Sequence, residues 1–141
     1  MRIAVSSTGP DLDSQASPVF GRCPYFVIVD VEGNEIKGAN GFPNQAMNMP
    51  GGAGIASAEF VANQGVQVVI SGSVGPRSFD VLSHAGIKMY QSIPKTVRDN
   101  VMAFIEGKLK PITTPAGMGA GMGPGRGLGG GFGRGRGGGG W

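Results

Sequence analysis

The stretch Val66-Gln67-Val68-Val69-Ile70-Ser71 decides the fold expected of this chain. It is almost continuously apolar and rich in β-branched side chains, a pattern typical of strands that a parallel sheet buries on both faces. Apolar residues recur at helical spacing before it, up to Gly65, and again after Pro76. A buried strand between two helices predicts an α/β protein.

Further strand and helix patterns lie on either side of this stretch. Glu32-Gly33-Asn34-Glu35 is a hairpin turn signal between two strand-like runs near the N-terminus. A hairpin followed by βαβ units predicts a five-stranded mixed sheet with helices packed on it. The predicted strands cover residues 2–6, 25–31, 35–40, 66–71 and 87–90, and the predicted helices cover residues 55–64, 77–85 and 96–106.

The composition changes sharply near the C-terminus. The chain has 141 residues, and most of those from 117 onward are glycine. Such a segment cannot bury enough apolar surface to offset the entropy lost on ordering. We therefore predict one folded domain over residues 1–110 and a disordered Gly/Arg/Met-rich tail over residues 111–141.

The net charge of +3 comes from this tail. Arg126, Arg134 and Arg136 have no acidic residue near them, so residues 1–116 are roughly neutral. The sequence therefore does not predict a basic, nucleic-acid-binding face on the folded domain. The tail resembles Arg-Gly segments that bind RNA weakly. A flexible tether is the alternative, and the small number of arginines favours it.

The chain contains a single cysteine, which excludes an intramolecular disulfide and indicates a reducing compartment. No run approaches the ~20 apolar residues of a membrane helix, and the first residues form a strand pattern instead of a signal peptide. We expect a cytoplasmic protein with no membrane partner.

That cysteine lies in the phrase Phe20-Gly21-Arg22-Cys23-Pro24-Tyr25-Phe26. A thiolate is a soft ligand for iron–sulfur clusters, Cu(I) or zinc, so Cys23 is the candidate metal ligand. The neighbouring Arg22 is expected to lower the pKa of the thiol and to bind an anionic ligand. The alternatives are that Cys23 is a small buried hydrophobe and that Arg22 forms a structural salt bridge.

Three glycine-rich turns are expected to meet beyond the carboxyl ends of the parallel strands. They are residues 7–18, 51–54 and 72–76, and two of them open predicted helices. Backbone N–H groups at helix N-termini attract anions. The alternative is that these glycines only make tight turns. The candidate anion-binding residues are Ser7, Gly52, Gly72, Ser73 and Gly75, with Arg22 and Cys23 beside them.

Several catalytic classes lack their residues. No glycine turn ends in the Gly-Lys-Ser/Thr of a phosphate loop, so nucleotide hydrolysis is not predicted. The first strand carries no acid for a two-metal nuclease site, and His84 is the only histidine. The sequence therefore predicts a protein that is not an enzyme.

The chain resembles the dinitrogenase iron–molybdenum cofactor biosynthesis family, the NifX-like domain, over about residues 1–110. The matching motifs are Met1-Arg2-Ile3-Ala4-Val5-Ser6, the phrase around Cys23, Gly51-Gly52-Ala53-Gly54-Ile55-Ala56, Val68-Val69-Ile70-Ser71-Gly72-Ser73-Val74-Gly75-Pro76, Ala85-Gly86-Ile87-Lys88-Met89-Tyr90 and Phe104-Ile105-Glu106-Gly107-Lys108-Leu109. Many members have a histidine before Phe-Gly-Arg, where this chain has Val19.

The resemblance implies a ribonuclease H-like fold and a non-enzymatic carrier. Its cargo would be a metal–sulfur cluster of Fe–S, Mo–Fe–S or Mo–Cu type, and its partners would be the proteins that donate and accept that cluster. A second copy of the chain is a further candidate partner, and the sequence leaves open whether such a homodimer pairs two Cys23 thiols. The alternative from a different class is a protein- or nucleic-acid-interaction module with no metal cargo.

Overall fold

The computed structural model describes residues 1–116. Within this range the elements follow the predicted order β-β-β-α-β-α-β-α. They are β1 (Arg2–Ser7), β2 (Tyr25–Glu32), β3 (Glu35–Pro43), α1 (Ala53–Asn63), β4 (Val68–Ser71), α2 (Pro76–His84), β5 (Lys88–Gln91) and α3 (Val97–Ile105). None of the helices in these residues is long and apolar enough to cross a membrane.

The five strands form one mixed sheet in the order β3-β2-β1-β4-β5, which confirms the predicted five-stranded mixed sheet. β1 lies in the centre, antiparallel to β2 and parallel to β4, and β4 is parallel to β5. The carboxyl ends of β1, β4 and β5 therefore lie at the same edge of the sheet. The ribonuclease H-like assignment stays a prediction.

The sheet has an apolar cluster on each face. Along β1, Ile3 and Val5 face one cluster and Ala4 faces the other, as the period of two in a strand requires. α1 and α2 pack side by side on the Ala4 face, and α3 supplies Val97 and Val101 to the opposite face. The result is a three-layer arrangement in which β1 is buried on both sides.

The elements differ from the predicted bounds mainly at β3. The structure extends this strand to Pro43, because it pairs with β2 along the whole length of β2, from Glu32↔Glu35 to Tyr25↔Pro43. α1 begins at Ala53, two residues earlier than predicted, directly after Gly52 in a left-handed conformation (φ +75°). Glycine adopts this conformation without the steric cost that other residues incur.

The chain continues along the outer edge of the sheet after α3. The backbone N–H of Gln91 donates to the Lys110 carbonyl, and that of Ile112 donates to the Met89 carbonyl, both at 2.8 Å. The N–H of Ala116 then donates to the Val74 carbonyl at 2.8 Å. We call residues 110–116 the edge segment. It includes six residues that the sequence prediction assigned to the tail; the rest of that tail lies outside the described residues.

Candidate functional site

A cleft of about 450 Å³ opens at the edge of the sheet where β1 and β4 end. Three chain segments form it: the approach to β2, the start of α1 and the turn from β4 into α2. Its lining residues are Val19, Phe20, Gly21, Arg22, Gly52, Ala53, Gly54, Ile55, Ser73, Gly75, Arg77 and Ser78. We call this the strand-end cleft. Two of the three predicted turns, 51–54 and 72–76, line the cleft; none of the residues 7–18 does, and residues 19–22 take their place.

Two helices begin at the strand-end cleft without a side-chain cap. Gly52 is the N-cap of α1 and Gly75 is the N-cap of α2, and neither has a side chain that could accept a hydrogen bond. The first turn of each helix also lacks an acidic residue. The first backbone N–H groups of α1 and, since Pro76 has no N–H, those of Arg77 and Ser78 in α2 are therefore left for solvent or for a ligand, and they lie at the positive ends of the helix dipoles.

Two arginines add full positive charges to the partial positive charges at the helix N-termini. The Arg22 guanidinium donates from Nη1 to the carbonyls of Met47 (3.0 Å) and Met49 (2.9 Å), which hold it at the cleft wall. Arg77 lies in the first turn of α2 and is exposed. Within residues 1–116 neither arginine forms an ion pair, and no aspartate or glutamate lines the cleft. The cleft is therefore a site of positive potential.

A set of hydrogen bonds and one close backbone contact hold the loops of the cleft together. The buried Ser6 hydroxyl donates to the Ser71 hydroxyl at 2.9 Å and so links the ends of β1 and β4. The Ser73 hydroxyl donates to the Pro18 carbonyl at 3.2 Å. Gly72 approaches the same carbonyl so closely that a Cβ atom at position 72 would overlap it. Glycine at position 72 therefore lets the two loops meet.

Asn44 ties the segment before β2 to α1. Its side-chain N–H groups donate to the carbonyls of Gly21 (3.0 Å) and Cys23 (2.9 Å). Ser57 of α1 donates from its hydroxyl to the same Gly21 carbonyl at 2.8 Å. Both side chains are buried or nearly so. The backbone around Arg22 is thus fixed to two other elements of the fold.

Cys23 lies beneath the cleft and does not line it. Its side chain is fully buried in the apolar cluster that also contains Phe20 and Phe26. The Sγ atom donates to the Tyr25 carbonyl at 3.2 Å. Burial raises the pKa of the thiol from 9.0 to about 12, so it is protonated at neutral pH.

The expectation that Arg22 lowers the pKa of Cys23 is therefore wrong. The Arg22 guanidinium is directed to the carbonyls of residues 47 and 49, and desolvation dominates the titration of the thiol. Adjacent residues in an irregular segment project in different directions, and here one side chain is exposed while the next is buried. The adjacency of Arg22 and Cys23 in the sequence therefore does not place the guanidinium beside the thiol.

The predicted site residues divide into two groups. Arg22, Gly52, Ser73 and Gly75 all line the strand-end cleft. Ser7 does not, because its buried hydroxyl donates to the Gly9 carbonyl at 2.7 Å and so closes a local turn. Gly72 lines a neighbouring cleft of about 320 Å³, which it shares with Ser73 and most of the edge segment.

Sequence reasoning missed Arg77, Ser78 and Asn44. A signal for Arg77 was present, because Gly75-Pro76-Arg77 follows a buried strand and opens a helix, so its side chain was bound to lie near that helix N-terminus. Asn44 gave no such signal, since an asparagine after a strand is an ordinary turn residue.

The described residues hold no ready-made metal-ion site. Among residues 1–116 there is no group of three or more His, Cys, Asp or Glu side chains that could hold a metal ion. His84 is exposed at the end of α2, where its Nδ1 lies 2.8 Å from the Asp80 carbonyl oxygen. The cleft therefore offers hydrogen-bond donors and positive charge, but no set of side-chain ligands for a bare cation.

Fold and cleft together define a small α/β protein with a basic cleft at its parallel strand ends. Residues 1–107 match the family described as dinitrogenase iron-molybdenum cofactor. The chain belongs to this family, whose description connects it with a metal cofactor. A curated relative, an uncharacterized protein of Methanocaldococcus jannaschii, is 36% identical over 110 residues, covering 78% of this chain and 90% of the relative.

Solved structures share the fold. The apo form of the orange protein from Desulfovibrio gigas superposes with a TM-score of 0.75 and is 38% identical, over 81% of this chain and 94% of that one. A Thermotoga protein described as a NifB candidate gives a TM-score of 0.69 and 32% identity, over 84% of this chain and 98% of its own. These likenesses agree with the family assignment.

Proposed function

We propose that this protein is a non-enzymatic carrier that binds a preformed, anionic metal–sulfur cluster, such as an iron–molybdenum cofactor precursor, in the strand-end cleft. One observation carries the proposal. Within the described range, residues 1–116, two uncapped helix N-termini and two arginines without ion pairs converge on a cleft whose lining contains no acidic residue. Such a site stabilises negative charge through backbone N–H groups and guanidinium groups together.

The chemistry of the cleft favours a cargo that brings its own ligands. A bare iron, copper or molybdenum ion needs several thiolate, imidazole or carboxylate ligands. The part of the chain that the structure describes contributes none of these groups to the lining of the cleft, and the Cys23 thiol is protonated and buried below it. A cluster whose metals are already ligated by sulfide needs only charge neutralisation and hydrogen bonds to its outer sulfurs.

A carrier must also release its cargo. Both arginines are exposed, and the cleft is open to solvent, so each charge contributes modestly and is screened by salt. We expect moderate affinity that falls as ionic strength rises. Among residues 1–116, the lining of the cleft includes the hydroxyls of Ser73 and Ser78 but no histidine, carboxylate or lysine that could activate them as a general base, which supports binding and handover over catalysis.

Anaerobic reconstitution with iron, sulfide, and either molybdate or copper tests the proposal. Elemental analysis and visible absorption are measured on the wild type and on Arg22→Gln, Arg77→Gln and Cys23→Ser. We expect stoichiometric metal and sulfide in the wild type, and affinity reduced roughly tenfold in each arginine variant, about 1.4 kcal/mol. Cys23→Ser is expected to bind like the wild type. The ratio of the metals identifies the cargo among the Fe–S, Mo–Fe–S and Mo–Cu types.

Arg98→Gln is the matched control. Arg98 lies on α3 and pairs with Asp13 at 3.2 Å, away from the cleft, so its removal changes the net charge equally without changing the site. Loss of metal only in Cys23→Ser would show a thiolate ligand and contradict the charge-based site. No metal in any protein would favour the interaction module without cargo. The predicted RNA binding concerns residues outside the described range, and the homodimer stays a prediction.

A further inference from the structure

We infer that Asn44 is a positioning residue that holds Arg22 in the strand-end cleft, so that anion binding depends on a side chain that does not touch the anion. This inference rests on the proposed function. It assigns a role to a buried polar residue outside the cleft lining.

One carboxamide binds the backbone on both sides of Arg22. The Nδ2 group of Asn44 donates to the Gly21 carbonyl at 3.0 Å and to the Cys23 carbonyl at 2.9 Å. The Asn44 backbone N–H also donates to the Pro24 carbonyl at 2.9 Å. The Arg22 backbone therefore lies between two carbonyls that one nearly buried side chain fixes in place.

The other end of the same carboxamide organises the acceptors of the guanidinium. Asn44 Oδ1 accepts from the Ala46 N–H at 3.0 Å, where a turn begins. Two backbone hydrogen bonds stabilise this turn: the Met47 N–H donates to the Asn44 carbonyl, and the Met49 N–H donates to the Ala46 carbonyl. The carbonyls of Met47 and Met49 in this turn receive Arg22 Nη1. Asn44 thus supports both the backbone of Arg22 and the wall to which its side chain binds.

Other side chains cannot satisfy these contacts. The site needs two N–H donors and one acceptor on the same short side chain, and among the standard residues only asparagine supplies them at this length. Aspartate would set a carboxylate against two carbonyl oxygens, alanine would remove both N–H donors, and serine would offer one O–H group in place of two N–H groups. Ser57 remains bonded to the Gly21 carbonyl in such variants, so the fold keeps one of its links there.

A double-mutant cycle with tetrathiomolybdate as the probe tests this role. Dissociation constants are measured for Asn44→Ala, Arg22→Gln, Arg77→Gln and the doubles Asn44→Ala/Arg22→Gln and Asn44→Ala/Arg77→Gln, with folding checked by circular dichroism. We expect Asn44→Ala to weaken binding roughly tenfold, to the level of Arg22→Gln, and to add no further loss in the Arg22→Gln background. In the double variant Asn44→Ala/Arg77→Gln, the factors by which the two substitutions weaken binding should multiply.

The salt dependence supplies a readout that a purely structural role would not change. If Asn44 acts through Arg22, Asn44→Ala and Arg22→Gln flatten the dependence of affinity on ionic strength to the same degree.

Asn44→Ser, which keeps a small polar group, takes the place of the alanine variant if that variant does not fold. Multiplicative losses for Asn44 and Arg22, or an unchanged salt dependence, would overturn the inference. If the wild type fails to bind tetrathiomolybdate, both the proposed function and the positioning role of Asn44 are contradicted. If the wild type and the Asn44 variant bind it equally well, only the positioning role of Asn44 is contradicted.

Discussion

Cys23 packs below a pair of aromatic rings, Phe20 and Phe26, whose centroids are 5.1 Å apart. Its thiol donates to the Tyr25 carbonyl at 3.2 Å and has no exposed surface. A protonated, buried thiol is a poor nucleophile and a poor ligand, since both reactions need the thiolate and access to it. At the residue scale, the cysteine therefore belongs to the packing of the domain.

We predict that Cys23 resists alkylation by iodoacetamide at pH 8 in the folded protein and reacts in urea. The cause is the pKa of about 12 together with full burial. Mass spectrometry of the intact chain measures the modification. Rapid labelling of the folded protein would show that the thiol is exposed, and would restore it as a candidate ligand.

The same pKa shift predicts how stability changes with pH. The pKa of the thiol is raised above its unfolded value of 9.0, so the folded state holds this proton more tightly. The contribution to stability is complete below pH 9 and is lost between pH 9 and about 12, at a rate approaching 1.4 kcal/mol per pH unit. Above pH 9 the unfolding free energy of the wild type, measured in urea, should therefore fall relative to that of Cys23→Ala. A constant difference would contradict the shift.

Residue roles were predictable only where local sequence determines them. Gly52 and Gly75 were identified because a turn before a helix points its backbone toward the strand ends, whereas Arg22 was identified as the charged neighbour of Cys23. The burial of Cys23 and the bonds of Asn44 depend on β3 and α1, which approach from distant parts of the chain. No pattern within the motif around Cys23 carries that information.

At the scale of elements, α1 and α2 begin with glycine where a capping side chain is usual. Serine, threonine, aspartate or asparagine at an N-cap accepts a hydrogen bond from a first-turn N–H and stabilises a helix by about 1 kcal/mol relative to alanine. By contrast α3, which lies on the opposite face, is capped by Thr96, whose hydroxyl accepts from the Asp99 N–H at 3.1 Å. The two uncapped helices are those that begin at the cleft.

We predict that Gly75→Asp raises stability and lowers cluster affinity. Gly75 has extended backbone angles (φ −69°, ψ 169°), and a Cβ atom at this position meets nothing within 4 Å. Aspartate can therefore cap α2 and complement its dipole, for a gain of about 0.5–1 kcal/mol in unfolding free energy. The same carboxylate would occupy the N–H groups of the cleft and repel an anion.

Thermal unfolding and tetrathiomolybdate titration measure the two effects. Gly75→Asn is the matched control, because it caps the helix without adding charge, and we expect it to be stabilised with a smaller loss of affinity. Unchanged affinity in Gly75→Asp would show that the N-terminus of α2 does not contribute to binding.

The existence and order of the elements were predictable because each has a clear period or an apolar run. The full length of β3 was not, since the three residues beyond the predicted end are Gly41, Phe42 and Pro43, and neither glycine nor proline favours a strand on its own. It becomes a strand because β2 provides a ladder of hydrogen bonds beside it. Pairing across the sheet overrode local preference.

At the scale of the whole molecule, the edge segment joins the far edge of the sheet to the cleft. It runs beside β5, packs Ile112 on the apolar cluster under α1 and α2, and ends bonded to Val74, between two residues of the cleft lining. A Gly/Met/Arg-rich sequence follows it. The predicted boundary at residue 110 marks the change in composition, whereas the backbone bonds of the described chain continue to residue 116.

We predict that a chain ending at Lys110 is less stable than one ending at Ala116. The shorter chain loses the Ile112 contact and two backbone hydrogen bonds, together about 1–2 kcal/mol. For a domain of this size the melting temperature should fall by about 4–8 °C per kcal/mol. Differential scanning calorimetry compares the two, with the full chain as reference. Equal melting temperatures would show that the edge segment adds no stability.

The pairing of β1 with β4 has a consequence for the order of assembly during synthesis. Residues 2–43 contain three strands that can pair as each one emerges from the ribosome, but the parallel partner of β1 begins at Val68. Until then one edge of the central strand has no neighbour, and the loops around residues 20, 53 and 75 are not in contact. A nascent chain that ends before Pro76 has paired strands but lacks the start of α2, which forms part of the cleft wall. If the protein has the proposed function, a cluster would therefore bind only after α2 has been synthesised.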